Sequence, residues 1–271
     1  MFREPPKLRD RFTVGIERCA EGRAVKYFGG DALAEYDKAR AMESAFAGTP
    51  FHVPRALRCD EDSGRVEFEF LEGAVLLQEI LEQAYDTRRF RRVLKLNDAA
   101  ARLLGTLHQR LEVPNARPWR PPAFLAQRAE RLGYHLAGTD DVFLHCDYSP
   151  VNLLVDRDDR MAVIDASPNS YFTDYACLKG HRFVDVAGYT CKLTWPYRLR
   201  SHSPAWRKLA ATMRRRFVSV YEQTSGRAVD DRLLRIFESA IVRSFVEWKT
   251  TSRLLRSAAL GLERIGLHRR P

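Results

Sequence analysis

Three polar side chains between residues 147 and 165 have the types and spacing needed for phosphate chemistry. Asp147 and Asn152 lie in a polar loop after the apolar run Val142–His145, and Asp165 follows the apolar run Met161–Ile164. Carboxylate and amide oxygens suit Mg²⁺, which binds through few protein ligands and completes its shell with water and substrate phosphates. A carboxylate that does not bind metal can accept a proton from an attacking hydroxyl.

The spacing of these residues is moderately specific by itself. With 18 Asp and 4 Asn in 271 residues, an Asp followed by Asn at +5 and by Asp at +18 should occur by chance with a probability of about 2%. The same three residues could be ordinary turn residues. The surrounding sequence therefore has to decide between the two interpretations.

The surrounding sequence favours the functional interpretation. The run His145–Leu154 (HCDYSPVNLL) resembles the catalytic loop H-G-D-x-x-x-x-N of the aminoglycoside phosphotransferase family, which is similar to the H-R-D-x-x-x-x-N loop of protein kinases. Asp165 resembles the metal-binding Asp of that family. Leu104–His108 (LGTLH) is similar to its LG-x-LH helix, and Asp185–Ala187 lies where the family has a helix start that braces the catalytic loop. The resemblance covers most of residues 20–190.

The resemblance implies a role for each candidate residue. Asp147 would orient the substrate hydroxyl and accept its proton, and Asn152 and Asp165 would hold Mg²⁺ and the nucleotide. Lys26 would contact the phosphates of ATP. Glu35, on the buried side of its predicted helix, would position Lys26. Backbone groups around Glu69 and Leu71, in a segment that resembles the hinge strand, would bind adenine.

Three features depart from the family pattern. The segment before Lys26 contains no G-x-G-x-x-G, so a glycine-rich lid over the phosphates is not evident. Cys146 replaces the usual Gly of the loop, and its thiol is expected to be inert. Asp165 is followed by Ala-Ser-Pro-Asn instead of Phe-Gly, and residues 167–183 are expected to form a fixed wall of the acceptor pocket. His145 is expected to have a structural role.

The elements around these residues change in character near residue 72. Before it, strands are predicted at Phe12–Ile16, Ala24–Phe28 and Val66–Leu71, with one helix over 31–47. The apolar stripe of this helix is predicted to contain Leu33, Tyr36, Ala39, Met42 and Phe46.

After residue 74 the pattern is mainly helical. Helices are predicted over 75–85, 89–112 and 122–137, and again from Pro204 and from Asp230, with strands at Val142–His145, Leu153–Val155 and Met161–Ile164. With the resemblance, this pattern predicts an α+β, bilobal, protein-kinase-like fold. Residues 1–72 would form a nucleotide-binding lobe that ends in the hinge, and residues 73–271 a helical lobe with the catalytic loop and acceptor site.

The charge distribution bears on the partner. The net charge is +10, but residues 191–271 alone contain 18 Lys and Arg against 6 Asp and Glu, a net charge of +12. This basic part could be a solvated face, or it could contact phosphates, nucleic acid or an anionic membrane surface. Arginine-rich helices with Arg207, Lys208 and Arg214–Arg216 lack a recognised nucleic-acid motif, so no nucleic acid is expected as a partner.

Composition excludes other classes of protein. No apolar stretch is long enough to span a bilayer, and the first ten residues lack the core of a signal peptide, so a cytoplasmic protein without a transmembrane segment is expected. Five cysteines without a C-x-x-C motif indicate neither a disulfide framework nor a zinc cluster. The motifs H-E-x-x-H, G-x-S-x-G and Walker A are absent from the sequence.

The resulting hypothesis is an enzyme that uses ATP and Mg²⁺ to phosphorylate a hydroxyl of a small molecule or glycan. Because aminoglycosides are polycations, the basic C-terminal third argues against them and favours a neutral or anionic acceptor. The alternative is a pseudokinase or nucleotide-binding regulator with the same fold. ATP binding without transfer to any acceptor would favour that alternative.

Overall fold

An antiparallel sheet with one helix forms the first part of the fold. The computed structural model describes residues 15–19, 22–27, 32–87, 90–113, 116–136, 138, 140–165, 178–200 and 204–249. The strands lie in the order β1-β2-β4-β3, and helix α1 follows β2 in the chain. Their bounds are β1 Gly15–Cys19, β2 Arg23–Tyr27, α1 Ala32–Phe46, β3 Ala56–Asp60 and β4 Arg65–Glu69.

The first strand extends further along the chain than the predicted end at Ile16. β1 pairs Gly15 with Tyr27 and Cys19 with Arg23, so it continues to Cys19. The predicted residues 12–14 lie outside the described part. β3 was not predicted, because apolar and polar residues do not alternate regularly in its sequence, ALRCD. In the structure the consecutive residues Leu57 and Arg58 are both exposed.

Helix α1 buries part of the predicted apolar stripe together with two polar residues. Leu33, which was assigned to the apolar stripe, is 40% exposed, whereas the buried side contains Glu35 and Lys38 together with Met42 and Phe46. The predicted stripe is therefore correct at Met42 and Phe46 and wrong at Leu33, and Glu35 lies on the buried side as predicted. Two of the six buried residues of α1, Glu35 and Lys38, are polar.

Two small sheets connect the first part to the helices. One contains β5 (Val75–Leu76), β8 (Leu153–Val155) and β9 (Met161–Val163). The other has the order β6-β10-β7 and contains β6 (Arg117–Pro118), β7 (Asp141–Phe143) and β10 (Leu178–His181). A 3-10 helix, Pro150–Asn152, leads into β8. Because Leu153 pairs with Val163, the hairpin β8–β9 places the polar loop and Asp165 at the same end, opposite its turn.

The remaining helices surround these sheets. Within the described residues they are α2 Leu77–Thr87, α3 Phe90–Arg110, α4 Ala123–Glu130, α5 Phe183–Arg200, α6 Pro204–Ser225 and α7 Asp231–Lys249. α4 is shorter than the predicted 122–137, because the chain turns after Glu130 and Gly133 has a positive φ of 83°. The other helix predictions agree with the structure to within a few residues.

Helix packing forms the main core. α3 packs along α6, and α5 packs against α6 and α7. Gly105 allows a close approach between α3 and α6, since a Cβ atom there would lie 2.8 Å from Thr224 Cβ. Met213 and Phe217 of α6 and Phe237 of α7 are buried in this core. Each such side chain contributes about 1.5–3 kcal/mol through burial.

No helix of the described residues is long and apolar enough to cross a membrane.

Candidate active site

Asp185 holds the loop before Asp147 through bonds to two backbone N–H groups. Its carboxylate lies at the start of α5 and accepts the N–H groups of His145 at 2.7 Å and Cys146 at 2.8 Å. Gly188 lets α5 approach the loop, because a Cβ atom there would lie 3.0 Å from the backbone oxygen of Tyr148. The brace implied by the resemblance is therefore present as a hydrogen-bonded contact.

A buried chain of side chains supports Asp185 from behind. His108 on α3 contacts Asp185 through Nε2 at 3.1 Å and the Tyr221 hydroxyl of α6 through Nδ1 at 2.8 Å. Burial lowers the pKa of His108, and its contact with Asp185 opposes that shift. A neutral ring with the proton on Nε2 donates to Asp185 and accepts from Tyr221. The pKa of Asp185 is lowered despite its burial, because these donors stabilise the charged form.

Cys146 adopts a backbone conformation that favours glycine. Its φ is +77°, which costs a residue with a Cβ atom about 1–2 kcal/mol. This conformation gives a physical reason for the Gly found at this position in the family loop. In this chain the thiol occupies buried space, and the Cys146 N–H bond to Asp185 helps to hold the conformation.

His145 connects the catalytic loop to the strand end before Asp165. Its Nε2 lies 3.1 Å from the Ile164 carbonyl, and its Nδ1 accepts the Asp147 N–H at 3.3 Å. Burial lowers the pKa of His145 to about 4, so the ring is neutral at pH 7. Both ring nitrogens bond backbone groups, in agreement with the predicted structural role.

Asp147 and Asn152 are joined within the loop. The Asn152 amide nitrogen Nδ2 donates to two oxygens of Asp147, the backbone carbonyl oxygen and the carboxylate Oδ2, each at 2.9 Å. The Ile164 N–H donates to the Asn152 carbonyl at 3.0 Å, which fixes the loop against the end of β9. With Nδ2 bonded to Asp147, Oδ1 is the atom through which Asn152 would bind a cation.

Lys26 and Asp165 meet in an ion pair. Lys26 belongs to β2 and is buried, and its ammonium contacts Asp165 Oδ1 although the two residues are 139 positions apart. Asp165 has a φ of +55°, which turns the chain sharply after β9. The structure thus brings together the predicted phosphate lysine and the predicted metal ligand.

Lys192 on α5 is a site residue that the sequence reasoning missed. Its ammonium lies 3.1 Å from Asp147 Oδ1. Burial raises the pKa of Asp147, nearby Asp165 raises it further, and Lys192 and Asn152 oppose the shift. Lys192 lies seven residues after Asp185, which places both on one face of a helix. That spacing is the signal that could have identified it.

Glu35 and Lys38 form the polar part of the inward face of α1. Glu35 is 6% exposed and Lys38 is fully buried, and the Lys38 ammonium donates to the His145 carbonyl at 3.2 Å. Lys38 was also missed, although it lies three residues after Glu35 on the same face. The role of Glu35 as the partner of Lys26 stays a prediction.

The segment predicted to bind adenine follows β4. The Glu69 N–H donates to the Arg55 carbonyl at 2.9 Å, and the Glu69 carboxylate also contacts Arg55. The Leu71 carbonyl accepts the Ala74 N–H at 3.3 Å, which closes a turn. The adenine contacts stay a prediction. The predicted acceptor wall at 167–183 falls largely outside the described residues.

The donors near Asp165 fit Mg²⁺ better than a transition metal. Among the residues that the structure describes, no three His, Cys, Asp or Glu side chains form a metal-binding group. Asp165 and Asn152 offer one carboxylate and one amide oxygen, on segments tied by the bond between Ile164 and Asn152. Mg²⁺ commonly binds through so few protein oxygens and keeps water and phosphate as its other ligands.

Comparison with solved structures identifies the fold. The chain is similar to a choline/ethanolamine kinase family protein from Mesorhizobium loti, with 14% identity, a TM-score of 0.57 and coverage of 95% of this chain and 89% of that one. A glucosamine kinase in complex with glucosamine, ADP and inorganic phosphate gives 16% identity, a TM-score of 0.61 and coverage of 93% and 78%. No protein-family model and no curated protein matches the sequence.

A third similar structure is the streptomycin–ATP–APH(2")-IIa ternary complex, with 15% identity, a TM-score of 0.50 and coverage of 94% of this chain and 87% of that one. Identities this low show the fold alone. The predicted α+β, bilobal, kinase-like fold and the resemblance to aminoglycoside phosphotransferases are confirmed at that level.

Proposed function

We propose that the chain is an ATP-dependent phosphotransferase that moves the γ-phosphate to a hydroxyl group of a small molecule or glycan. One observation carries the proposal: the ion pair between Lys26 and Asp165 lies beside the joined pair Asp147 and Asn152. Two carboxylates, an amide and an ammonium at one site fit phosphoryl transfer, in which positioning and charge stabilisation supply most of the catalysis.

Asp147 serves as the proton acceptor in this proposal. The acceptor oxygen forms a bond to the γ-phosphorus, the bond from that phosphorus to the β–γ bridging oxygen breaks, and ADP leaves. The hydroxyl proton goes to the Asp147 carboxylate. The pKa of Asp147 is raised by burial, which makes it a better proton acceptor than an exposed carboxylate.

The remaining residues bind and orient the nucleotide, which would lie between the lobes 1–72 and 73–271. Lys26 contacts the phosphates, Glu35 positions Lys26, and backbone groups around Glu69 and Leu71 receive adenine. Asn152 and Asp165 hold Mg²⁺, which when bound neutralises charge on the phosphates. The nucleotide-bound glucosamine kinase of the same fold supports the use of a nucleotide.

The acceptor is proposed to be neutral or anionic. Glucosamine and streptomycin, named for two of the similar structures, carry positive charge at neutral pH. Residues 191–271 of this chain have a net charge of +12, which disfavours such acceptors through Coulomb repulsion. The same charge allows peripheral contact with an anionic surface.

The test is Mg²⁺-dependent transfer of labelled γ-phosphate from ATP to a panel of sugars, sugar phosphates, glycans and aminoglycosides. Asp147→Asn should lower turnover by about 100-fold or more while ATP still binds, and Asp165→Ala should abolish it. Asp158→Asn is the matched control, because its side chain is 73% exposed in the β8–β9 turn. Unchanged turnover in Asp147→Asn would contradict the proposal, and ATP binding without any transfer by the wild type would favour the regulator.

A further inference from the structure

The described side chains of helix α5 are buried with one exception. Between residues 183 and 193, where the α5 side chains are described, every residue is buried except Lys192. The Lys192 side chain is 20% exposed, and the Asp147 side chain that it contacts is 24% exposed. The only partly exposed position on this described stretch of α5 therefore lies at the proposed proton acceptor.

The two oxygens of the Asp147 carboxylate face different parts of the site. Oδ2 accepts the amide N–H of Asn152, which belongs to the nucleotide and metal side in the proposed function. Oδ1 accepts the ammonium of Lys192 at 3.1 Å. None of the residues assigned to the nucleotide lies on α5. The Oδ1 side is therefore the side left for the acceptor hydroxyl.

We infer that Lys192 selects an acceptor that carries a phosphate or carboxylate close to its reacting hydroxyl. The inference rests on the proposed function. When the acceptor hydroxyl bonds Asp147 Oδ1, it displaces the Lys192 ammonium from that oxygen. Because the ammonium is partly buried, its separation from the carboxylate costs free energy. An anionic group of the acceptor replaces the lost partner, whereas a neutral acceptor does not and a cationic acceptor adds repulsion.

This selection follows from a single displacement. In the free protein Lys192 neutralises Asp147, so the site has no excess of positive charge to attract anions indiscriminately. The ammonium becomes available to an anion when a hydroxyl has taken its place on Asp147 Oδ1. Recognition of the anionic group and correct placement of the hydroxyl therefore occur together.

The experiment compares matched acceptors that differ by one phosphate: glucose with glucose 6-phosphate, and glycerol with glycerol 3-phosphate. Wild-type protein should transfer labelled γ-phosphate from Mg-ATP with a higher kcat/KM to the phosphorylated member. Lys192→Met should lower kcat/KM for that member by about 30-fold more than for the neutral one. Lys192→Arg should retain most of the preference, because it keeps the charge.

Lys208→Met is the matched control, since it removes the same charge from an exposed position on α6 and should leave the preference intact. Thermal melting establishes that each variant is folded, and Lys192→Gln replaces the Met variant if the latter does not fold. Equal losses for both members of a pair would overturn the inference, because Lys192 would then act on the transferred phosphoryl group. A wild-type preference for the neutral member would also overturn it. Transfer to either member that is lost in Asp165→Ala supports the proposed function separately, and transfer to neither would count against both.

Discussion

Replacing Asp185 tests how the catalytic loop is held. In Asp185→Asn the amide oxygen can keep the place of Oδ2, which accepts His108 and the His145 N–H, while the amide NH₂ faces the Cys146 N–H. One buried donor then loses its acceptor, at about 1–3 kcal/mol, and two further bonds lose their charge assistance. The neutral amide also lacks the desolvation penalty of the buried carboxylate, which offsets part of this cost.

The expected net effect is a loss of roughly 2–4 kcal/mol from the free energy of unfolding, a large share of the roughly 5–15 kcal/mol of a typical domain. Urea titration measures it. At a temperature where the variant stays folded, the transfer rate should also fall by about 100-fold, because the loop that carries Asp147 is displaced. The affinity for ATP should change much less.

Asp158→Asn controls for the loss of a negative charge. Asp158 and its partner Arg160 are both mainly exposed. The free energy of unfolding of this variant should therefore lie within about 0.5 kcal/mol of the wild-type value. If Asp185→Asn matched the control in stability, the hydrogen bonds of Asp185 would not hold the loop. If it were destabilised but kept the full transfer rate, the loop would not depend on Asp185 for its position.

Three other changes test separate contacts. Stability should fall as the pH drops from about 6.5 to about 4, because unfolded histidine has a pKa near 6.5 whereas burial lowers that of His145 to about 4. In His145→Gln, Tm should depend less steeply on pH in this range, but a slope should remain because burial also lowers the pKa of other histidines. An unchanged slope would contradict the contribution assigned to His145. Gly105→Ala should cost about 1–3 kcal/mol in urea titration, because its Cβ would lie 2.8 Å from Thr224 Cβ, and a cost near zero would mean that α3 and α6 separate freely. Lys38→Met should lower kcat about tenfold with little change in the KM for ATP, since the ammonium bonds the His145 carbonyl; a kcat equal to that of the wild type would show the bond to be dispensable.

The sequence best predicts the site residues that lie close to one another along the chain. Asp147, Asn152 and Asp165 lie within one loop and hairpin, so their spacing, the short strands around them and the family resemblance together predict their position. The contact of Lys26 with Asp165 joins distant parts of the chain and was reachable through the resemblance alone. The fold class followed from the same resemblance and from the change of pattern near residue 72.

The polar residues that reach the site from helices were harder to predict. A hydrophobic pattern treats a charged residue in a helix as exposed, and Lys38 and Lys192 break that rule because their ammonium groups find acceptors on the catalytic loop. The stripe assigned to α1 is wrong at Leu33, whose apolar side chain is 40% exposed. The burial of such positions depends on which surfaces the folded chain brings together. The spacing of residues within one helix does not determine this.

The bonds from Asp185 to the loop also determine how the loop takes part in unfolding. A backbone amide exchanges its hydrogen with solvent only after its bond opens. The His145 and Cys146 amides are bonded to a fully buried carboxylate on α5, which packs against α6 and α7. Their exchange therefore requires the loop to separate from the helical core. Ligand-binding loops often open independently of the core. We expect this loop instead to open together with the helices, so that the proposed activity and helical structure should be lost together.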